Sequence, residues 1–369
     1  MKGVVMHSIV DRLHQWVDRT PDKLLYAFSN IEGDVTESYR YGEFLQRTTD
    51  IASYLHRRYP MAAGERVLLA YPPGLEMICA FFACVRLGLI PVPVYPPTHH
   101  GFRAALYKMN FIAHDCGAAA VLTDRVYFWS MKLNLTRHRV ATFSFKRDYV
   151  SKLKWIVTNE AQKGGRQDFR EAYSPVLFLQ YTSGSTSDPK GVMVTHDNIL
   201  DNCDKVVDHQ AVGVSWLPQY HDMGLIGYYL FFALEGGTTY GFSPLDFIRR
   251  PALWLETISR YGGSASSAPN FAYEYCLRPG KLPPETFDAL DLSSLRFLMT
   301  AAEPVRPSVY RGFIETFEPY GLDPKCFFSA YGLAEYTLAV SNYGRTIGAF
   351  ERGALGRNQA RLVTNETGP

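Results

Sequence analysis

Residues 176–196 read VLFLQYTSGSTSDPKGVMVTH, and this stretch decides between a flexible linker and part of a ligand-binding α/β fold. The strand-forming run VLFLQYT leads directly into a segment rich in Ser, Thr and Gly, and a second apolar run, GVMVTH, follows it. Hydroxyl-rich segments are typical of flexible spacers, but a spacer between domains would not be a short connection between two strands. The stretch therefore predicts a structured loop.

The residues of this loop are suited to holding an anion. Gly184 lets the backbone approach a ligand closely, and Lys190 supplies a positive charge. Hydroxyl donors are available at Thr182, Ser183, Ser185 and Thr186. A Walker P-loop would place Gly directly before the Lys, whereas Pro189 stands there. The pattern predicts a phosphate-binding loop of a different type.

Strand and helix patterns alternate on both sides of the loop. In the first half, the apolar runs RVLLAY, LIPVPVY and AAAVLTD alternate with helical patterns such as LEMICAFFACVRLG. The second half repeats the alternation with VSWLP, GLIGYYLFFALEGG, TTYGFS and PALWLETISRYG. Residues 125–148 carry no clear pattern. We predict an α/β fold with two related αβα-layered subdomains, residues 1–165 and 166–369, and mostly parallel sheets.

Composition and charge exclude several classes of protein. The 369 residues are 47% hydrophobic and 14% aromatic, which is too apolar for a disordered chain. A formal net charge of +2 argues against binding to nucleic acid or to an anionic membrane. The longest apolar run contains Arg86 and two prolines, so we expect no transmembrane segment, and the N-terminus is charged too soon for a signal peptide. Six cysteines without metal-binding spacing indicate reduced thiols in a cytoplasmic protein.

Motifs along almost the whole chain resemble those of the adenylate-forming superfamily. YTSGSTSDPKGVMVTH, residues 181–196, resembles the signature loop of that superfamily. SWLPQYHDMGLIG (215–227), SAPNFAYEYC (267–276), AAEPVR (301–306) and AYGLAEYTLAVS (330–341) are most similar to its fatty acyl-AMP ligase branch, as is YPPGLEMICAFFACVRLGLIPVPVYPP (71–97). The resemblance implies activation of a fatty carboxylic acid with ATP to an acyl-adenylate and pyrophosphate.

The resemblance also implies roles for individual residues on the nucleotide side. The loop from Thr182 to Thr186, with Ser183, Gly184 and Ser185, would hold the ATP phosphates together with Lys190. Ala301, Ala302 and Glu303 would flank adenine. Tyr331 would stack on the base, and Gly332 would allow its close approach. Glu335 would coordinate Mg²⁺ that bridges the phosphates.

On the acyl side, the resemblance implies that His221 lies between the nucleotide and the acyl pocket. Met223, Asn270 and Phe271 would line that pocket, although Met and Phe are also common in ordinary cores. Because catalysis of this kind depends on positioning and on charge neutralisation, Lys190, His221 and Glu335 are the expected catalytic residues. The expected partners are a fatty acid and an acyl carrier protein.

The sequence departs from the family pattern at three places. Ser187 stands where a third loop glycine is usual, and the connection between His196 and Ser215 is shorter than in typical relatives. The chain ends at RLVTNETGP, before the ribose-binding Asp, the hinge and the C-terminal domain that the family carries. Two alternatives therefore stay open, a non-catalytic module that binds ATP or acyl-AMP and a fatty acyl-CoA synthetase.

Overall fold

The computed structural model describes residues 8–98, 101–142, 148–182, 188–206 and 209–367, with side chains described except at residues 138–142 and 364–367. The strands within these ranges are β1 (Leu24–Ser29), β2 (Val35–Arg40), β3 (Arg66–Leu69), β4 (Ile90–Pro93), β5 (Ala120–Thr123), β6 (Lys154–Val157), β7 (Val176–Tyr181), β8 (Gly191–Thr195), β9 (Val212–Ser215), β10 (Thr238–Phe242), β11 (Ala265–Pro269), β12 (Phe297–Ala301), β13 (Phe327–Gly332), β14 (Ala339–Gly344), β15 (Thr346–Phe350) and β16 (Leu362–Thr367).

Helices alternate with strands over much of the chain, as the sequence pattern predicts. They are α1 (Ile9–Arg19), α2 (Tyr41–Arg58), α3 (Leu75–Arg86), α4 (Phe102–Asp115), α5 (Arg125–Thr142), α6 (Tyr149–Lys152), α7 (His196–Val206), α8 (Asp222–Gly224), α9 (Phe231–Leu234), α10 (Pro244–Arg249), α11 (Ala252–Tyr261), α12 (Asn270–Leu277), α13 (Glu285–Asp288), α14 (Pro307–Phe317) and α15 (Arg352–Leu355). A π-helical turn, Leu225–Leu230, joins α8 to α9. No helix of the described residues is long and apolar enough to cross a membrane.

The strands form two sheets with a parallel core and two hairpins. The larger sheet has the order β14-β13-β12-β11-β9-β10-β1-β2, and its neighbours pair in parallel except for the edge strands β14 and β2. The smaller sheet, β4-β3-β5-β6, is parallel throughout. The pairs β7-β8 and β15-β16 are antiparallel. The predicted α/β fold class is confirmed.

Local signals in the sequence account for several helix boundaries. Ser8 caps α1, with its hydroxyl accepting the backbone N–H of Asp11 at 3.1 Å. Thr195 precedes α7, where its hydroxyl accepts the N–H of Asn198 at 3.1 Å and its own N–H donates to the Asn198 side chain at 3.0 Å. Residues 125–148, which carry no clear pattern, include the helix α5.

Strands β1 and β2 are elements that the sequence pattern did not reveal. They lie near the N-terminus, yet β1 pairs in parallel with β10, and Tyr26 is opposite Thr239. The N-terminal part of the chain therefore contributes two strands to the sheet that otherwise consists of residues 212–344. A division of the chain at residue 165 stays a prediction.

Both faces of the smaller sheet are buried. Along β3 and just after it, Val67 and Leu69 belong to one hydrophobic cluster, whereas Leu68 and Ala70 belong to another. This alternation is expected because successive side chains of a strand point to opposite faces. The six cysteines are also buried and free, as their spacing predicts.

Candidate active site

A cavity of about 830 Å³ lies where several parallel strands of the larger sheet end. Its walls come from β4 and α4, from the β7-β8 hairpin, from residues 220–223, and from the ends of β12 and β13. Ligands of open α/β sheets bind outside the carboxyl ends of the strands, because successive loops converge there. The position of the cavity is therefore that of a ligand site.

The structure brings together many of the residues that the sequence predicted for the nucleotide and the acyl group. Those that line the cavity are Thr182, His221, Met223, Ala301, Ala302, Tyr331, Gly332 and Glu335. Ser183, Gly184, Ser185 and Thr186 lie outside the described residues. Lys190, Glu303, Asn270 and Phe271 are described, and they are not among the residues that line this cavity.

The two strands of the predicted phosphate loop form a hairpin. The backbone N–H of Thr182 donates to the carbonyl of Lys190 at 3.0 Å, which closes the base of the loop. A β-carbon on Gly191 would lie 2.8 Å from the ring of Tyr181, so only glycine allows that ring to cross the hairpin. Lys190 is exposed at the base of the loop.

His221 and Asp222 form a close pair at the cavity wall. The His221 Nδ1 and an Asp222 carboxylate oxygen are 2.6 Å apart, and this hydrogen bond raises the pKa of His221 even though burial acts in the opposite direction. With Nδ1 donating to Asp222, the Nε2 atom is left for a ligand. His221 therefore suits contact with an anionic group in the cavity.

Tyr331 presents an aromatic surface to the cavity. Its side chain is 61% exposed although it lines a concave site, so one side of the ring is available to a planar ligand. At the neighbouring Gly332, the backbone itself also requires glycine. A β-carbon there would lie 1.9 Å from the carbonyl oxygen of Leu338, which also accepts the N–H of Leu333 at 3.1 Å.

Ala302 and Glu303, two of the residues predicted to flank adenine, directly follow β12 and differ in their surroundings. Ala302 has a left-handed backbone, with φ of 69°, which is uncommon for a residue other than glycine and carries a cost in conformational energy. The next residue, Glu303, is directed to α12, where its carboxylate accepts the N–H of Phe271 at 2.5 Å. Glu303 therefore supports the start of α12.

Asn270 lies at the start of α12 and is buried. Its side-chain oxygen accepts the backbone N–H of Arg306 at 3.2 Å, and its amide nitrogen has no hydrogen-bond partner in the part of the chain that the structure describes. Phe271 packs edge-on against Trp216, with ring centroids 6.0 Å apart. The acyl-binding roles of Asn270 and Phe271 stay predictions.

A smaller cavity of about 210 Å³ adjoins the large one. The side chains common to both walls are Val206, Met223, Met299 and Leu338. All four are apolar, so the boundary between the two cavities favours a hydrocarbon group. Sequence reasoning named only Met223, although the alternation of FLMTA in β12 could have indicated that Met299 shares a face with Ala301.

Glu335 is an exposed carboxylate on the wall of the large cavity. The described residues contain no group of three or more His, Cys, Asp or Glu side chains that could hold a metal ion. Mg²⁺ is commonly bound by one or two carboxylates with phosphate oxygens and water, and does not need a cage of protein ligands. Glu335 therefore fits a Mg²⁺ ion that arrives with a nucleotide.

Comparison with known proteins matches residues 13–366 to the family described as AMP-binding enzyme. Among curated proteins, the chain is 37% identical over 344 residues to the medium-chain-fatty-acid–[acyl-carrier-protein] ligase JamA of Moorena producens, an alignment that covers 90% of this chain and 56% of that protein. The chain spans about half the length of the curated relatives it matches.

Two solved structures from Legionella pneumophila have the same fold. A fatty acid AMP ligase is 31% identical with a TM-score of 0.82, over 94% of this chain and 59% of that one. A fatty acyl-adenylate ligase in complex with acyl adenylate and pyrophosphate is 31% identical with a TM-score of 0.79, over 98% of this chain and 62% of that one. The match to the family model extends over most of the chain, and the chain therefore belongs to the AMP-binding enzyme family.

Proposed function

We propose that this chain binds ATP and a fatty acid and joins them as an acyl-adenylate with release of pyrophosphate. One observation carries the proposal, namely that a large cavity with polar and aromatic walls adjoins a small cavity, and that the four side chains common to both walls are apolar. An acyl-adenylate has the matching form, a polar nucleotide joined to a hydrocarbon tail. The relatives named for fatty-acid activation support the same assignment.

The large cavity would hold the nucleotide. Tyr331 would stack on adenine, with the backbone around Ala301 and Ala302 beside the base. Thr182 lines the same cavity from the β7-β8 hairpin, whose loop would direct its hydroxyls and Lys190 at the phosphates. Adenine and triphosphate would thus be held from two different elements, which fixes the position of the α-phosphorus.

The reaction would place the fatty carboxylate where the two cavities adjoin. A carboxylate oxygen attacks the α-phosphorus, a new oxygen–phosphorus bond forms, and the bond to pyrophosphate breaks. His221 would hold the carboxylate or an α-phosphate oxygen, because its hydrogen bond to Asp222 favours the protonated ring. Mg²⁺, which Glu335 would help to hold, supplies neutralisation of phosphate charge when it is bound.

We further propose that the acyl group passes to an acyl carrier protein. The support is the printed activity of JamA, which is a ligase for acyl carrier protein. A location in the cytosol accords with six free, buried thiols, since thiols stay reduced in that compartment.

The test is ATP–pyrophosphate exchange that depends on an added fatty acid, such as dodecanoate. We expect exchange by the chain and a strong loss in Lys190→Ala, whereas Lys163→Ala, which removes another exposed lysine, should retain it. Binding of ATP and dodecanoyl-AMP without exchange would instead favour a non-catalytic binding module. Transfer to coenzyme A in preference to a carrier protein would favour a fatty acyl-CoA synthetase.

A further inference from the structure

The small cavity runs along one face of the larger sheet, from the middle of β11 and β12 to the amino ends of these strands. Phe297 and Met299 of β12 line it, and Ala301 of the same strand lines the large cavity, which is the alternation expected of one strand face. Arg296, which precedes β12, lines the small cavity as well. From Ala301 to Arg296 the strand spans roughly 16 Å, at about 3.3 Å per residue.

The middle of the small cavity offers apolar surface. Its opposite wall is formed from the π-helical turn and α9 and includes Tyr228 and Phe232. The polar atoms there are already satisfied, because the Tyr228 hydroxyl and the Ser267 hydroxyl form a hydrogen bond of 2.8 Å. A polar group placed midway along the cavity would therefore lose its hydration without finding a free partner.

The far end differs in character from the middle. Arg296, Ser264 and His209 line it, and each of them lies at or near the start of a strand. The Ser264 hydroxyl accepts the backbone N–H of Val212 at 2.9 Å. The Nδ1 atom of His209 lies 2.5 Å from a carboxylate oxygen of Glu235.

Arg296 adds a positive charge at this end. Its backbone N–H donates to the carbonyl oxygen of Ser264 at 2.8 Å, whereas its guanidinium forms no ion pair or hydrogen bond with any residue within the described ranges. A guanidinium carries five donors in a planar arrangement that matches a carboxylate. An exposed arginine is by itself an ordinary surface feature, but this one lines the end of the small cavity that is farthest from the large one.

We infer that Arg296 forms a subsite for the distal end of the acyl substrate, and that the chain takes acids with a hydrogen-bond-accepting group at the ω position, an ω-carboxylate above all. This inference rests on the proposed function, because it requires the tail to occupy the small cavity. In this arrangement the reacting carboxyl group of the acid lies where the two cavities adjoin. Its methylene chain follows the sheet face along the small cavity, and its ω group reaches Arg296.

The inference predicts a distinctive dependence on chain length. A carboxylate at the end of a short tail would lie in the apolar middle of the cavity, where its desolvation is uncompensated and binding is weaker than for a methyl end. When the tail is long enough to reach Arg296, the ω-carboxyl acid binds more tightly than the ω-methyl acid. Because the guanidinium is exposed, the gain is limited to about fivefold in affinity.

The experiment measures binding by calorimetry, so that it does not depend on turnover. The probes are 5′-O-(N-acylsulfamoyl)adenosines in matched pairs, with a methyl or a carboxyl group at the ω end and acyl chains of increasing length. We expect the ω-carboxyl probe to bind more weakly at short lengths and about fivefold more tightly at one longer length. In Arg296→Gln the ratio of the two affinities at that length should fall to about one, and Arg296→Lys should retain part of the difference.

Arg58→Gln serves as the matched control, because Arg58 is an exposed arginine at the end of α2 and lines neither cavity. Thermal unfolding of each variant checks that it folds. If the ω-methyl probes bind but no length favours the ω-carboxyl probe, the inference is overturned and the proposed function is not. The same holds if Arg296→Gln leaves the preference for the ω-carboxyl probe intact. If the ω-methyl probes do not bind at all, the proposed function fails, and the inference fails with it.

Discussion

The carbonyl oxygen of Leu338 lies 1.9 Å from the point that a β-carbon on Gly332 would occupy. This close approach connects two parts of the site, since Gly332 lines the large cavity and Leu338 lines both. The same carbonyl accepts the N–H of Leu333, which closes the turn that carries Glu335. The glycine is thus required by the backbone of the turn, whatever ligand lies beside it.

Replacement of Gly332 by Ala should displace this turn. Because Leu338 must move, we expect binding of dodecanoyl-AMP to weaken more than tenfold, measured by calorimetry. Gly353→Ala is the matched control, since the nearest atom to its new β-carbon would be 3.9 Å away. Equal affinities of Gly332→Ala and the unaltered chain would show that the turn does not shape the site.

Tyr331 should contribute to nucleotide affinity through its ring. Loss of an aromatic contact of about 1 kcal/mol predicts roughly fivefold weaker AMP binding in Tyr331→Ala, whereas Tyr331→Phe should bind AMP nearly as well as the unaltered chain. Tyr336→Ala is a suitable comparison, because Tyr336 is similarly exposed, at 64%, and does not line the cavity. A similar loss in both alanine variants would count against stacking on Tyr331.

Ala265 lines only the small cavity of the two, so a larger side chain there should shorten the space for the tail. We expect Ala265→Leu to weaken binding of long-chain acyl-AMP while AMP affinity stays the same, as measured by titration with each ligand. Acetyl-AMP provides an internal control, since its short acyl group does not reach this position. Unchanged affinity for every chain length would place the tail elsewhere.

His196 should make the stability of the fold depend on pH. Burial lowers the pKa of His196 to about 4, and its Nδ1 accepts the backbone N–H of Ile9 at 3.2 Å. The folded state therefore favours the neutral ring, so this contribution is complete above the unfolded pKa of about 6.5 and is lost as the pH falls toward 4. At pH 5 the loss should be about 2 kcal/mol in the free energy of unfolding.

Urea unfolding between pH 7 and pH 5 measures this dependence. His196→Asn retains a side-chain acceptor without the titration, so its stability should decline less steeply over the same range. Identical slopes for the two proteins would assign the pH dependence to other groups.

Arg86 should stabilise the contact of α2 and α3 with residues 167–171. It is buried, and its guanidinium donates to the hydroxyls of Thr48 and Thr49 at 2.8 and 2.7 Å and to the Glu171 carboxylate at 2.7 Å. Removing one partner of such a buried arrangement leaves the others unpaired, so Arg86→Ala should cost about 3 kcal/mol in unfolding free energy.

The matched control is Arg57→Ala, which breaks an exposed pair with Asp168 at 2.8 Å. Exposed pairs contribute about 0.5 kcal/mol, so the two variants should differ clearly in urea unfolding. A similar loss of unfolding free energy in Arg86→Ala and Arg57→Ala would indicate that the burial of Arg86 adds no stability.

Much of the fold was predictable because its signals are local. The capping of α1 by Ser8, the helical pattern of α3 and the apolar runs of β3 and β7 depend on residues a few positions apart. The pairing of β1 with β10 was not predictable in this way, because the partners are more than 200 residues apart and neither strand shows which edge it will meet.

For this protein, the sequence by itself determined the α/β class, the hairpin loop and the residue types that suit a phosphate or an aromatic base, since these follow from local periodicity and side-chain chemistry. Only the tertiary structure decided that Glu303 is directed to α12 and that Leu338 requires glycine at residue 332. It also decided that Arg296 lines a small cavity that adjoins the large one along the sheet. The physical reason is that a cavity consists of faces from distant elements, and their meeting depends on packing that no single stretch of chain encodes.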